Sequence, residues 1–93
     1  MSDYRIFETD EFLKQFKNLP EQNFSFLQKK LYNYVYPLLK NNPFLGTNIK
    51  KLRGYSPDTW RYRIGKFRLF YTIDKKEKIV YIFTIDFRKD AYR

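Results

Sequence analysis

Apolar and polar positions alternate with a period of two over residues 60–71, which read W-R-Y-R-I-G-K-F-R-L-F-Y. Such alternation marks β-strands with one face buried. Two runs meet at Gly65-Lys66, a two-residue connection of the Gly-X kind that closes a tight hairpin. A two-residue loop fixes the register: Ile64 opposes Phe67, Arg63 opposes Arg68 and Tyr62 opposes Leu69. Directly opposed residues share a side of the sheet. Trp60, Tyr62, Ile64, Phe67, Leu69 and Tyr71 therefore make one apolar face, and Arg61, Arg63 and Arg68 emerge together on the other. Opposed like charges cost stability, and packing does not require them. The cluster suits an anion.

The pattern elsewhere supplies the remaining elements. Residues 4–8 form a short strand, and Thr9 or Asp10 can cap the helix that follows by accepting an orphan amide of its first turn. Phe12, Leu13, Phe16 and Leu19 predict a first helix of about ten residues, which Pro20 breaks. A second helix begins at residues 21–23, with Phe24, Leu27, Leu31, Tyr34, Val35, Leu38 and Leu39 at helical spacing. Pro37 lies inside that pattern and lacks an amide donor, which predicts a kink or an early end. Residues 43–50 read as a loop, and Ser56-Pro57-Asp58 as a turn before the hairpin.

Residues 79–87 are apolar on both parities, as expected of a central strand covered on both sides. A three-residue loop at 75–77 opposes Asp74 with Lys78 and Arg68 with Thr84, and brings Arg88 to the side of the arginine cluster. A two-residue loop flips the parity and separates them; the three-residue loop is the expectation. The order is β-α-α-β-β-β: an α+β fold of two layers, an antiparallel sheet carrying an N-terminal αα-hairpin on one face.

With 93 residues the chain makes a single domain, 1–93, and a 43% apolar content argues against disorder. Cysteine and histidine are both absent. That removes thiolate and imidazole chemistry and leaves no metal site or cofactor to expect. Catalysis must run on Arg, Lys, Tyr, Asp or Glu. The first residues lack a secretory h-region, and no apolar run approaches the roughly 18–20 residues that span a bilayer, so a cytoplasmic protein with no membrane partner is expected. The net charge is +9 and is unevenly spread. Residues 1–46 hold six Lys/Arg against five Asp/Glu, whereas residues 47–93 hold thirteen against five. A basic half rich in aromatic residues suggests nucleic acid first and an acidic protein segment second.

Three stretches carry a resemblance: Lys51-Leu52-Arg53-Gly54, the whole of residues 60–71, and the ending Phe87-Arg88-Lys89-Asp90-Ala91-Tyr92-Arg93. With a strand and two helices ahead of them, the chain resembles the RelE/ParE superfamily of bacterial and archaeal toxins over essentially its whole length. The resemblance implies a toxin of a type II toxin-antitoxin system, held inactive by a cognate antitoxin. The RelE branch consists of ribosome-dependent endoribonucleases that cut mRNA in the A site of the 30S subunit. The ParE branch poisons DNA gyrase with the same fold, and a degenerate member would bind antitoxin or RNA alone. The basic face with a tail tyrosine favours the RelE branch, with ribosome and mRNA as partners and no small-molecule cofactor.

Carried over residue by residue, the RelE-type site falls on Arg61, Arg63, Arg68, Arg88 and Tyr92, with Lys51, Arg53, Lys66, Lys89 and Arg93 as RNA contacts. The implied reaction is attack of a ribose 2′-OH on the adjacent phosphate, leaving a cyclic phosphate and a 5′-OH. It needs charge neutralisation at the phosphorane, a base and an acid. Guanidinium forks suit the first need, being planar, bidentate and always charged. Members of the family often carry Lys where this chain has Arg61 and Arg63, and Arg is a poor base. Tyr92, one of Lys51, Lys66 and Lys89, or no specific residue then takes that role. Competing structural roles are solvation for Arg61 and Arg63, pairing of Arg88 with Asp86 or Asp90, edge packing for Tyr92 and core packing for Trp60.

Overall fold

In the computed structural model, which describes residues 3–87, the chain runs β1 (Arg5–Glu8), α1 (Asp10–Lys17), α2 (Glu21–Lys30), a π-helical turn (Leu31–Val35), α3 (Tyr36–Asn41), β2 (Ile49–Lys51), β3 (Trp60–Ile64), β4 (Phe67–Asp74) and β5 (Ile79–Phe87). The strands form one sheet in the order β1-β5-β4-β3-β2. All neighbours are antiparallel except β1 and β5, which run parallel because two helices intervene between β1 and the meander. Both helical segments lie on one face. Phe12, Phe16, Leu27, Leu31, Val35 and Leu39 interleave there with Tyr62, Leu69, Tyr71, Val80, Ile82 and Ile85 as one buried core. The expected α+β two-layer fold is what forms, with one strand more than expected: Ile49–Lys51 belongs to the sheet rather than to a loop.

Thr9 caps α1, its Oγ1 accepting from the Phe12 amide at 3.2 Å. The helix spans 8 residues rather than about ten, and Asn18 closes it. The second helix neither stops nor breaks at Pro37. Its backbone widens one step earlier, where the Tyr36 amide bonds the Leu31 carbonyl five residues back. A proline ring clashes with the carbonyl four residues before it and leaves that carbonyl without a donor. The π turn absorbs this mismatch and lets the helix run on to Asn41.

The hairpin register is as read from the sequence, with Gly65 at φ +57° supplying the tight turn. The β4–β5 connection is not. Asp74 opposes Ile79, so four residues form the loop and Lys78 takes a left-handed φ of 57°. That even count alone would flip the parity, but a bulge restores it. Tyr71 opposes Ile82 whereas Phe70 opposes Thr84, so Phe83 is the extra residue. Arg68 consequently faces Asp86, not Thr84. The bulge also explains the apolar pattern of β5, in which Val80 and Ile82 point to the helices on one side of it and Ile85 on the other. Helices cover one face of β5, not both, and Tyr81 and Phe83 are half-buried on the rest. Polar bonds hold the irregularity in place. The Ile82 carbonyl accepts from both the amide and the hydroxyl of Thr9, at 3.0 and 3.1 Å, and the Ile85 amide donates to Gln15 Oε1 at 2.9 Å.

Candidate active site

The sheet face away from the helices carries two adjacent cross-strand rows. One runs Lys50 on β2, Arg61 on β3, Phe70 on β4 and Thr84 on β5; the next runs Arg63, Arg68 and Asp86. Neighbouring strands lie about 4.8 Å apart, so the second row sets the backbone positions of two arginines and an aspartate within about 10 Å. Arg63 is exposed, and Arg61 and Arg68 are half-buried. Three of the expected side chains, Arg61, Arg63 and Arg68, are therefore brought together as hairpin geometry requires. Arg88, Lys89, Tyr92 and Arg93 lie outside the described residues.

Arg68 is held from two sides. Its Nη2 donates to Asp86 Oδ2 at 2.6 Å, and its guanidinium carbon stands 5.6 Å from the centre of the Phe70 ring two residues along the same strand. The Arg68 Nε is buried and meets no acceptor among the described residues. A guanidinium placed this way cannot swing freely, and one of its edges is already committed to a carboxylate. Fixed donors of this kind bind an anion with little reorganisation.

The expected RNA contacts divide. Lys51 falls on the opposite parity from Lys50 and Arg61; its Nζ pairs with Asp58 at 3.3 Å and lies 5.9 Å from the Trp60 ring centre. Arg53 is exposed in the turn beyond β2, and Lys66 is exposed at the hairpin tip. Neither shares a row with the arginines. Trp60 packs against the core, edge-on to Phe44 at 5.4 Å, the structural role weighed for it.

Two members of the rows went unassigned in the sequence. Lys50 sat in a presumed loop, although the apolar-polar step Ile49-Lys50 ahead of β3 was the available signal. Asp86 was read only as a partner for Arg88, and nothing in the apolar run of β5 announces the bulge that carries it to Arg68.

A second polar cluster lies at the β1 edge. There Glu8 accepts from the Tyr36 hydroxyl at 2.8 Å and the Tyr32 hydroxyl at 3.1 Å, in a cavity of about 690 Å³ also lined by Tyr4, Ile6 and Lys40. Burial foremost, then the Glu8 carboxylate, pushes the Tyr36 phenol far above its ordinary range. A phenol so held stays protonated and cannot act as a base. Among the described residues no cluster of three or more His, Cys, Asp or Glu could hold a metal ion, and no helix is long and apolar enough to cross a membrane.

Residues 6–92 match the family described as the ParE toxin of type II toxin-antitoxin system, parDE. The chain is 36% identical over 83 residues to the RelE1 protein of Methanocaldococcus jannaschii, covering 87% of this chain and 86% of that one. Two solved complexes contain chains of similar shape. The archaeal RelE-RelB complex of Pyrococcus horikoshii matches at a TM-score of 0.71 and 22% identity, over 94% of this chain and 97% of the other. The toxin-antitoxin complex RelBE2 of Mycobacterium tuberculosis matches at 0.72 and 25%, over 95% and 94%.

Proposed function

Because the chain belongs to the RelE/ParE family of type II toxin-antitoxin toxins, we propose that it is a RelE-type mRNA interferase. It is an endoribonuclease without a metal cofactor that cuts mRNA in the ribosomal A site and is neutralised by a cognate antitoxin. The observation that carries this reading is the pair of basic rows on the uncovered sheet face, Lys50 with Arg61 and Arg63 with Arg68. A gyrase-binding surface has no need to oppose two arginines across a strand pair. A reaction that builds negative charge on phosphorus does.

The scissile phosphate sits over Arg63 and Arg68, whose forks neutralise the phosphorane as the neighbouring 2′-OH attacks. Arg61 and Lys50 hold the adjoining backbone, and Phe70 offers an apolar floor on which a base can stack. The family's pattern adds Arg88 and Tyr92 to this machinery. The ribosome supplies the bent, in-line arrangement of the mRNA, which replaces much of what an enzyme would otherwise provide through proximity. Antitoxin binding is supported by the RelB complexes of the similar proteins from Pyrococcus horikoshii and Mycobacterium tuberculosis. An acidic, disordered antitoxin segment complements the +9 surface.

The family's ParE description favours one rival, a gyrase inhibitor that cleaves nothing. Inducible expression followed by transcriptome-wide mapping of mRNA 5′ ends separates the two. Codon-phased cuts in translated messages, lost on combined Arg61, Arg63 and Arg68 to alanine substitution, are expected. DNA-damage signalling without cuts would replace this reading with the gyrase one.

A further inference from the structure

We infer that Asp86 is the general base of this site, taking the proton from the attacking 2′-OH. The assignment rests on the ribonuclease reading above and deepens it. A base must accept a proton and must lie beside the phosphate-binding groups. Along the two rows, Arg61, Arg63 and Arg68 stay protonated, Lys50 has a lone pair only after giving up its own proton, Phe70 is apolar and Thr84 is a weak acceptor. The other carboxylate on this side of β4, Asp74, lies at the far end of the strand opposite Ile79, and its Oδ1 caps the turn by accepting from the Glu77 amide at 2.9 Å. Asp86 alone among the described residues puts a carboxylate into the arginine rows.

Its geometry fits the task. Oδ2 is held by Arg68 Nη2 at 2.6 Å, while the side chain as a whole keeps 45% of its surface open. One oxygen is thus anchored and the carboxylate faces the solvent side, where the RNA must lie. Because the same guanidinium grips the carboxylate and the phosphate, the base stands next to the 2′-OH whenever the phosphate is bound. The step balances. The 2′-O–H proton passes to Asp86, the 2′-oxygen bonds phosphorus, and the bond from phosphorus to the 5′-oxygen breaks. That oxygen takes a proton from water, and Asp86 returns its own to solvent. The bulge at Phe83 is what delivers this residue, since without it Asp86 would point toward the helices.

The test uses single-turnover cleavage of an mRNA bound to purified ribosomes, with Asp86→Asn, Asp86→Ala and Asp86→Glu, each checked for an unchanged denaturation midpoint. Asparagine keeps an oxygen that accepts from Arg68 but loses basicity, so it separates a base from a positioning residue. The expected result is that Asn and Ala both slow cleavage by about 10²–10⁴-fold, the range for loss of general-base catalysis. Affinity for the programmed ribosome stays equal or tightens, because a negative charge is gone from a phosphate-binding face. Glu recovers part of the rate. Cleavage by Asp86→Asn within about threefold of the parent, with Asp86→Ala impaired, would make Asp86 a positioning residue and overturn the assignment. Faster cleavage by Asp86→Ala would make the ion pair a restraint and overturn it too. Absence of cleavage by the parent chain itself refutes the ribonuclease reading and this assignment together, which keeps the two failures distinguishable.

Discussion

Tyr71→Phe removes one oxygen and leaves the rest of the core untouched. Tyr71 is fully buried on β4, and its hydroxyl donates to the Pro43 carbonyl at 2.8 Å, tying the segment after α3 to the sheet beneath the arginine rows. Pro43 is fully buried as well, so water cannot replace the lost donor. The phenylalanine ring keeps the apolar contacts, and the cost is that of an orphaned carbonyl, about 1–2 kcal/mol. Against a total stability of roughly 5–15 kcal/mol this is a large fraction. At about 4–8 °C per kcal/mol for a domain of this size, the melting temperature falls by about 5–15 °C. Urea denaturation followed by tryptophan fluorescence reads it directly, since Trp60 packs edge-on to Phe44 in the anchored segment. The midpoint should drop with an unchanged slope, because the surface exposed on unfolding is the same. Tyr55→Phe is the control, its side chain being 55% exposed. A Tyr71→Phe midpoint indistinguishable from that control would refute the reasoning.

Two other outcomes follow from the same structure. The Tyr36 and Tyr71 phenols are pushed upward chiefly by burial, so the fold keeps their protons while the unfolded chain releases its own from about pH 10. Stability is therefore full below that value and lost above it, at about 1.4 kcal/mol per pH unit for each phenol, and Tyr71→Phe should flatten an alkaline urea series. For binding of single-stranded RNA, Arg63→Ala should lower the slope of log affinity against log salt by about 0.7, one phosphate contact's worth. An unchanged slope in a fluorescence-anisotropy titration would take Arg63 off the backbone.

The hairpin was legible because a two-residue turn leaves the register no freedom, and Gly65 at positive φ is the signal such a turn requires. The cap ahead of α1 was legible to within one residue, Thr9 or Asp10, for a similar reason, a short polar side chain immediately before an apolar helical period. What escaped were features with weak local signals. Lys78 adopts a left-handed φ that lysine seldom takes, so nothing marked the fourth loop residue. The run 79–87 is apolar at nearly every position, and both parities looked equally able to face the core. Thr9 and Gln15, distant in sequence, hold the arrangement that forms. Arg61, Arg63 and Arg68 were thus foreseeable as a group, whereas the place of Asp86 beside them depended on contacts made from the N-terminal third of the chain.

The widened turn at Leu31–Val35 bears on how this chain can change over time. An extra residue looped into a helix is the trace an insertion leaves when everything around it must keep its place. Here Leu31 and Val35, on either end of that loop, are both fully buried, and Tyr36 just beyond reaches Glu8. Forcing the segment into regular α geometry without removing a residue would rotate all that follows by about 100°, carrying Leu39 out of the interior and Tyr36 away from its carboxylate. Replacing Pro37 with alanine would give back a hydrogen-bond donor, yet the surroundings would still dictate the wide turn. Once fixed, such an irregularity outlives the residue that made it tolerable.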